Sequence, residues 1–516
     1  MQIAAAALWL KARQTCPEAR PAQLNLVASN LRLSSLPDDD PALLELRREV
    51  ERETGIPAAL TDTILHALHG ADHLGSLLKV DSAVEDAIAA HEQAMAVRTR
   101  PVQLDFFAPT PLRQPEIDFE AAAARRSLLD RLEAFLERHT SGDDLGLRLR
   151  GEQLAAGVRF VRMMREGQYD LVMGNPPYQG TSKMKDAAYV QAHYHRGKAD
   201  LYAAFLLRGL ELVRAGGISA LLTMRNWMFI KQYSDIREWL LGTYDLRALG
   251  DFDRGAFEDV PDEVVSVAVS IWRKHSHGVD SIAVCTTPRE DRSRDSERTA
   301  RKRAATLCHV GRHEFDPAAL KVVPEWPLVY WWDRALSHAY AMEGLIGEAA
   351  PPRNGLQTNN NTRFARRPYE VDPGVMLTVR AADRTVGEET SRWIPYIQGA
   401  DGHTWVEPLK EVVLWQSGGL QLRALAAQLS GTTTWTPPCA VHYLKPGVSF
   451  TTLGAEFGGR VHRFLSIFGN MGRSVFPPCL GQIAEINCLF NSSRAKHIMS
   501  SLNPTVHFTT GDVARL

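Results

Sequence analysis

The sequence predicts an α/β protein: part of a Rossmann-like sheet interrupted by a helical insertion, with a separate mixed α/β domain at the C-terminal end. Three observations lead there. Strand-like and helix-like apolar patterns alternate between residues 166 and 280, as in one half of a doubly wound sheet. Residues 36–165 read almost wholly as helix. Beyond about residue 345, turn dipeptides and short β-rich segments replace the alternation. With 516 residues, 45% of them hydrophobic and 23% charged, the chain can bury several cores.

Element by element, Met1–Ala12 starts in mid-helix without a cap, and it lacks the basic region and cleavage site of a signal peptide. Leu24–Ala28 is strand-like and ends at Ser29-Asn30. Residues 1–35 are therefore expected to be a remnant of the N-terminal half of the sheet. Helical spacing follows over Pro41–Glu53, Leu60–His69, Val84–Val97 and Phe119–Arg138, broken by the proline-rich stretch Pro109–Pro115; this is the insertion, residues 36–165. The core, residues 166–280, opens on the strand Leu171–Met173. A helix is expected over Asp200–Ala215, stopped by Gly216-Gly217. Ile218–Met224 is a buried-type strand, Tyr233–Leu241 a helix, and Leu246–Phe252 and Val264–Trp272 a closing antiparallel pair. Residues 281–345 are expected to connect, with Glu290–Arg303 so polar that it reads as solvated. Residues 346–516 form the last domain, where Trp393, Tyr396, Trp405, Trp415 and Trp435 occur with Arg363, Arg366 and Arg367.

Composition narrows the function. A formal net charge of −1 gives no global attraction to nucleic acid, so any such contact is a local basic patch. The six cysteines are scattered without a Cys-x-x-Cys pair, as expected of reduced thiols in a cytoplasmic protein. Cys308, His309 and His313, like His193 and His195, read as structural, and no metal site is expected. No apolar run approaches the roughly 20 residues of a membrane span.

The chemistry concentrates in Tyr169-Asp170-Leu171-Val172-Met173-Gly174-Asn175-Pro176-Pro177-Tyr178. An apolar strand ends in glycine, and an amide, two prolines and an aromatic follow at the carboxyl end, where open α/β sheets bind ligands. The side-chain oxygen of Asn175 and the backbone carbonyl of Pro176 can accept the two protons of an amine conjugated to a ring. Such acceptors stabilise charge developing on its nitrogen during alkylation. Pro176 and Pro177 stiffen the loop and remove competing N–H donors. Tyr178 offers a flat face for a base turned out of a duplex. Asp170, at the strand, is a candidate general base, although amide and carbonyl acceptors suffice without one. Phe205 and Trp227 are read as sheet packing rather than pocket wall.

Asn175-Pro176-Pro177-Tyr178 resembles the catalytic loop of amino-group DNA methyltransferases of the N6-adenine class. Other segments extend the resemblance to the PglX-like adenine-specific methyltransferases of BREX systems and the related DISARM methylases. They are Asp200–Phe205, Asn226–Phe229, Arg254–Glu258, Gly355–Asn361 with Arg363-Phe364, Trp393–Gly399 through Trp405, Asn491–Ser493, and Asn503–Thr505 with Gly511-Asp512. The resemblance implies a methyltransferase sheet, a target-recognition domain over residues 346–516, S-adenosylmethionine as cofactor and double-stranded DNA as partner. It places Asn30 toward the donor; Asp170 is a further candidate for donor contact. The family's glycine-rich donor loop has no counterpart in the sequence. An incomplete or split enzyme, its sheet completed by an upstream polypeptide, is therefore expected. The alternative is a DNA-recognition fragment without catalysis. Methylation of protein or RNA amines is a third reading, disfavoured by the large C-terminal domain.

Overall fold

The computed structural model describes residues 2–20, 41–54, 74–80, 160–257, 265–276, 282–287, 297–381, 391–399 and 402–516, with isolated positions between 58 and 66 and at 278. The chain is a mixed α/β protein of two compact units. One is Met1–Thr223 with Ser270–His275, the other Met224–Val269 with Ser276–Leu516. Asn30 and the expected strand Leu24–Ala28 lie outside the described residues, as do the helices expected over Val84–Val97 and Phe119–Arg138 and most of Leu60–His69. The first helix covers Gln2–Thr15 and the second Pro41–Thr54, close to the expected bounds.

The main sheet has six strands in the order β1-β2-β4-β3-β5-β6. They are β1 Tyr169–Gly174, β2 Val213–Met224, β3 Asp245–Asp253, β4 Val267–Arg273, β5 Ala283–Thr286 and β6 Arg312–Phe315. β1 runs parallel to β2, with Leu171 opposite Ile218 and Gly174 opposite Leu221. Hydrogen bonds between Gly216 and Lys274, and from Arg225 N to Ser266 O, make β4 antiparallel to β2. β4 lies between β2 and β3, and β5 and β6 extend the sheet beyond the pair expected to close it. β3 is parallel to β5, which is antiparallel to β6.

Two expectations need correction. The helix after Asp200 spans Leu201–Leu212, and the chain enters β2 at Val213, so Gly216-Gly217 is not a helix stop. The pair instead forms a bulge: register jumps from Tyr169↔Val213 to Leu171↔Ile218. Gly216 has a φ of 76°, and a Cβ on Gly217 would crowd the Tyr169 carbonyl oxygen. Second, residues 281–345 do more than connect. They supply β5, β6 and the helix Arg298–Leu307. In the stretch read as solvated, Lys302 is buried, its ammonium bonded to the carbonyls of Phe252 and Arg254, a partnership invisible to local composition.

Within the first unit, fully buried Arg208 locks the helix Leu201–Leu212 to the segment 74–80. Its guanidinium meets Glu166 at 2.5 Å and Glu211 at 3.1 Å and donates to the carbonyls of Ser76, Leu78 and Met164. Within the second, Arg225 forms a two-pronged pair with Asp251 (2.6 and 2.8 Å), and Tyr330 Oη donates to the same carboxylate at 2.9 Å. Trp227 is fully buried, in keeping with a packing role.

Residues 346–516 add two four-stranded sheets. One has the order β13-β8-β10-β7, from Ile467–Phe468, Trp393–Ile397, Glu411–Leu414 and Ala365–Arg366. The other has the order β14-β11-β12-β9, from Ser474–Val475, Val448–Phe450, Gly459–Val461 and Trp405–Val406. Leu356, Phe364, Ile394, Tyr396, Trp415 and Phe468 share one core, with Trp393 and Trp435 packed against it. Of the five aromatics singled out in this domain, only Trp405 is largely exposed, at 51%.

Candidate active site

Asn175–Tyr178 leaves the carboxyl end of β1, where parallel pairing with β2 fixes the take-off point at Gly174↔Leu221. Asn175 and Pro177 face solvent, Pro176 is buried, and Tyr178 is half-buried. Tyr178 Oη donates to Asn175 Oδ1 at 2.9 Å and lies 3.5 Å from the Leu222 carbonyl oxygen. That bond orients the amide yet leaves Asn175 Oδ1 a second lone pair for an incoming proton. Burial pushes the Tyr178 phenol up to about 12, so it remains a neutral donor at physiological pH. Its ring stands edge-on to Tyr202, with centroids 6.1 Å apart.

The far end of the loop is pinned by Asp200, a residue that resemblance singled out only as part of a motif. Its Oδ1 accepts from Gln179 N at 2.9 Å and from Tyr202 N at 3.3 Å, capping the helix Leu201–Leu212. Leu201 N returns a bond to the Gln179 carbonyl at 3.0 Å, and Thr181 Oγ1 donates to the Lys198 carbonyl. Burial raises the Asp200 carboxyl above its usual range, against the pull of three backbone N–H groups. The legible signal was an aspartate immediately before an apolar helix; its partner, Gln179, lies 21 residues away and left no local trace.

The structure brings Asn175, Pro176, Pro177 and Tyr178 together in one loop. It does not bring Asp170 to them. That carboxylate is exposed near the opposite end of β1 and ion-paired with Arg214 at 2.6 Å. Four residues of extended chain separate Asp170 from Gly174, about 13 Å. Asp170 therefore stands away from the loop, with one carboxylate oxygen paired to Arg214 and the side chain 81% exposed.

Comparison with known proteins finds similarity to methylases. Residues 1–257 match the model of the Eco57I restriction-modification methylase family. The adenine-specific methyltransferase BrxX of Escherichia coli O9:H4 (strain HS) is 25% identical over 399 residues, which is 74% of this chain and 31% of that protein. The adenine-specific methyltransferase PglX of Lacticaseibacillus casei (strain Zhang) is 22% identical over 364 residues, 68% of this chain and 29% of that protein. Among solved structures, the Type IIL restriction-modification enzyme MmeI in complex with DNA aligns with 95% of this chain and 69% of its own, at 12% identity and a TM-score of 0.42. The chain spans less than a third of the length of the two curated relatives. Over more than two thirds of its own length, this chain is similar to the PglX-like adenine-specific methyltransferases.

Proposed function

We propose that the chain is a site-specific DNA adenine N6-methyltransferase of a phage-defence system of the BREX, DISARM or restriction-modification type, acting on double-stranded DNA in the cytoplasm. The observation that carries this reading is the loop pinned at both ends, with Tyr178 Oη bonded to Asn175 Oδ1 at 2.9 Å. An adenine turned out of the duplex stacks on Tyr178. Its N6 protons are accepted by Asn175 Oδ1 and the Pro176 carbonyl, which moves the nitrogen lone pair toward attack. Holding loop and base in one geometry supplies the positioning part of the rate.

S-adenosylmethionine supplies the methyl group in this reading. The described residues offer no set that fits it, since Asp170 is engaged by Arg214 and Asn30 lies outside them. The chemistry assigned to this chain's own residues is therefore that on the side of the base. Donor-dependent formation of N6-methyladenine, abolished by Asn175→Ala with duplex binding retained, tests it. Product unaffected by that substitution refutes it.

One observation favours a second reading, recognition of DNA without catalysis by this chain alone. Among the described residues β1 is an edge of the sheet, and its apolar Leu171 and Met173 are 51% and 73% exposed. An upstream polypeptide adding strands to that edge would complete the sheet and the donor side. Calorimetric titration of the donor separates the two. Micromolar binding by the chain alone supports the first reading; binding only after the upstream polypeptide is added supports the second.

A further inference from the structure

The motif Gly355–Asn361 is not used by the catalytic loop, and its local structure builds a second polar site. Leu356 is fully buried; its N donates to the Phe468 carbonyl at 2.8 Å, and its carbonyl accepts from Asn470 N at 3.1 Å. Gly355 leaves no room for a Cβ against Phe468. Asn359 takes a φ of 57°, and Asn360 caps the following turn by accepting from Arg363 N at 3.0 Å. The outcome is that Asn361, held by Thr358 Oγ1, stands in the wall of a cavity of about 410 Å³ that Arg367, Gln398, Glu411 and Asn470 also line.

This cavity has more hydrogen-bonding capacity than the chain satisfies. Gln398 Nε2 donates to Tyr396 Oη at 2.7 Å, while Gln398 Oε1 is buried without a partner. Among the described residues the Asn470 side chain, the Asn361 amide nitrogen and the Glu411 carboxylate make no hydrogen bond or ion pair. Asn361 is exposed and Asn470 and Glu411 are half-buried, so water can meet them, whereas the Gln398 Oε1 atom is buried and unmet. Buried acceptors are rarely left so, and this one marks a place for a ligand's donor. Three side-chain amides, each with a donor beside an acceptor, match the edge of a nucleobase. An unpaired carboxylate repels phosphate and accepts from an exocyclic amine, which favours base over backbone. Arg367 and Lys410, cations in the cavity wall, suit a phosphate at its mouth, and Tyr369, 85% exposed and two residues from Arg367, offers a stacking face.

We propose that this cavity reads a base of the DNA site, with Asn361, Gln398 and Asn470 as specificity-determining residues, Glu411 accepting from the base's exocyclic amine, and Arg367 on the backbone. The inference rests on the DNA reading above. The test is selection of a random-sequence duplex library on the purified chain, for wild type, Asn361→Ala, Gln398→Ala and the near-isosteric Asn470→Asp, each first checked for an unchanged thermal midpoint. Wild type is expected to enrich a defined sequence. The variants are expected to keep bulk duplex affinity within about threefold, yet lose about 5- to 150-fold of discrimination at one or two positions. Identical sequence preferences in all four proteins overturn the proposal, as does duplex binding by wild type without any preference. If wild type binds no duplex at all, the DNA reading itself fails and takes this inference with it.

Discussion

Replacing Asp200 by alanine removes one carboxylate oxygen that two backbone donors share, Gln179 N at 2.9 Å and Tyr202 N at 3.3 Å. The loss of the helix cap costs about 1 kcal/mol. Leaving the Gln179 N–H without an acceptor in a partly buried place costs about 1–3 kcal/mol more. The expected total is about 2–4 kcal/mol, lowering the urea midpoint by about 1–2 M at a slope of about 2 kcal/mol per M. Asp200→Asn is the control. Burial already disfavours the charged carboxyl, and asparagine keeps an acceptor in place without it, so a change within about 1 kcal/mol is expected. Urea titration followed by circular dichroism gives the stability. Hydrogen exchange across residues 175–181 reports the loop directly and is expected to speed up in Asp200→Ala alone. Unchanged exchange in that variant would refute the clamp, whatever happened to global stability.

Arg225→Ala strips the partner from a carboxylate that is 0% exposed, and a loss of about 3–5 kcal/mol is expected by chemical denaturation; a loss below about 1 kcal/mol would show that Tyr330 alone satisfies Asp251. Tyr178→Phe removes the bond to Asn175 and keeps the ring, so methyl transfer should fall only several-fold, whereas Tyr178→Ala should weaken binding of the extruded base by about 1–3 kcal/mol; equal effects of the two would deny the ring its stacking role. His462 is buried against Ser474 at 3.0 Å, and desolvation lowers its pKa to about 4. Because the folded value lies below the unfolded one of about 6.5, its stabilisation is complete above that pH and lost as pH falls toward 4, about 3 kcal/mol in all. His462→Gln should flatten that acid slope in denaturant midpoints measured between pH 7 and pH 4.

The elements that could be read from the sequence are those whose signal is local. β1 and the loop were legible because an apolar strand runs straight into Gly174-Asn175-Pro176-Pro177, and β4 because Val267–Trp272 is apolar apart from Ser270. The bulge at Gly216-Gly217 was not, since a glycine pair after a helical pattern has the same local appearance as a C-cap. β5 and β6 are four residues each, and the ammonium of Lys302 hides in carbonyls about 50 residues away in sequence, so a polar stretch was read as solvated. The position of Asp170 was misleading for a related reason. A strand places residues at its two ends far apart, however close they stand in a motif. Of the aromatics in the last domain, period-2 patterning could not tell Trp405, exposed with a φ of 73°, from Trp415 in the core.

The central claim is that Asn175–Tyr178 holds an adenine for methylation at N6. Expressing the chain in a host that lacks adenine-N6 methylation, and measuring N6-methyladenine in its DNA by mass spectrometry, tests that claim most directly. Modified adenine is expected for the wild-type chain, and its loss in Asn175→Ala. Modification that survives Asn175→Ala, or duplex binding with no modified adenine from the wild-type chain, would contradict it.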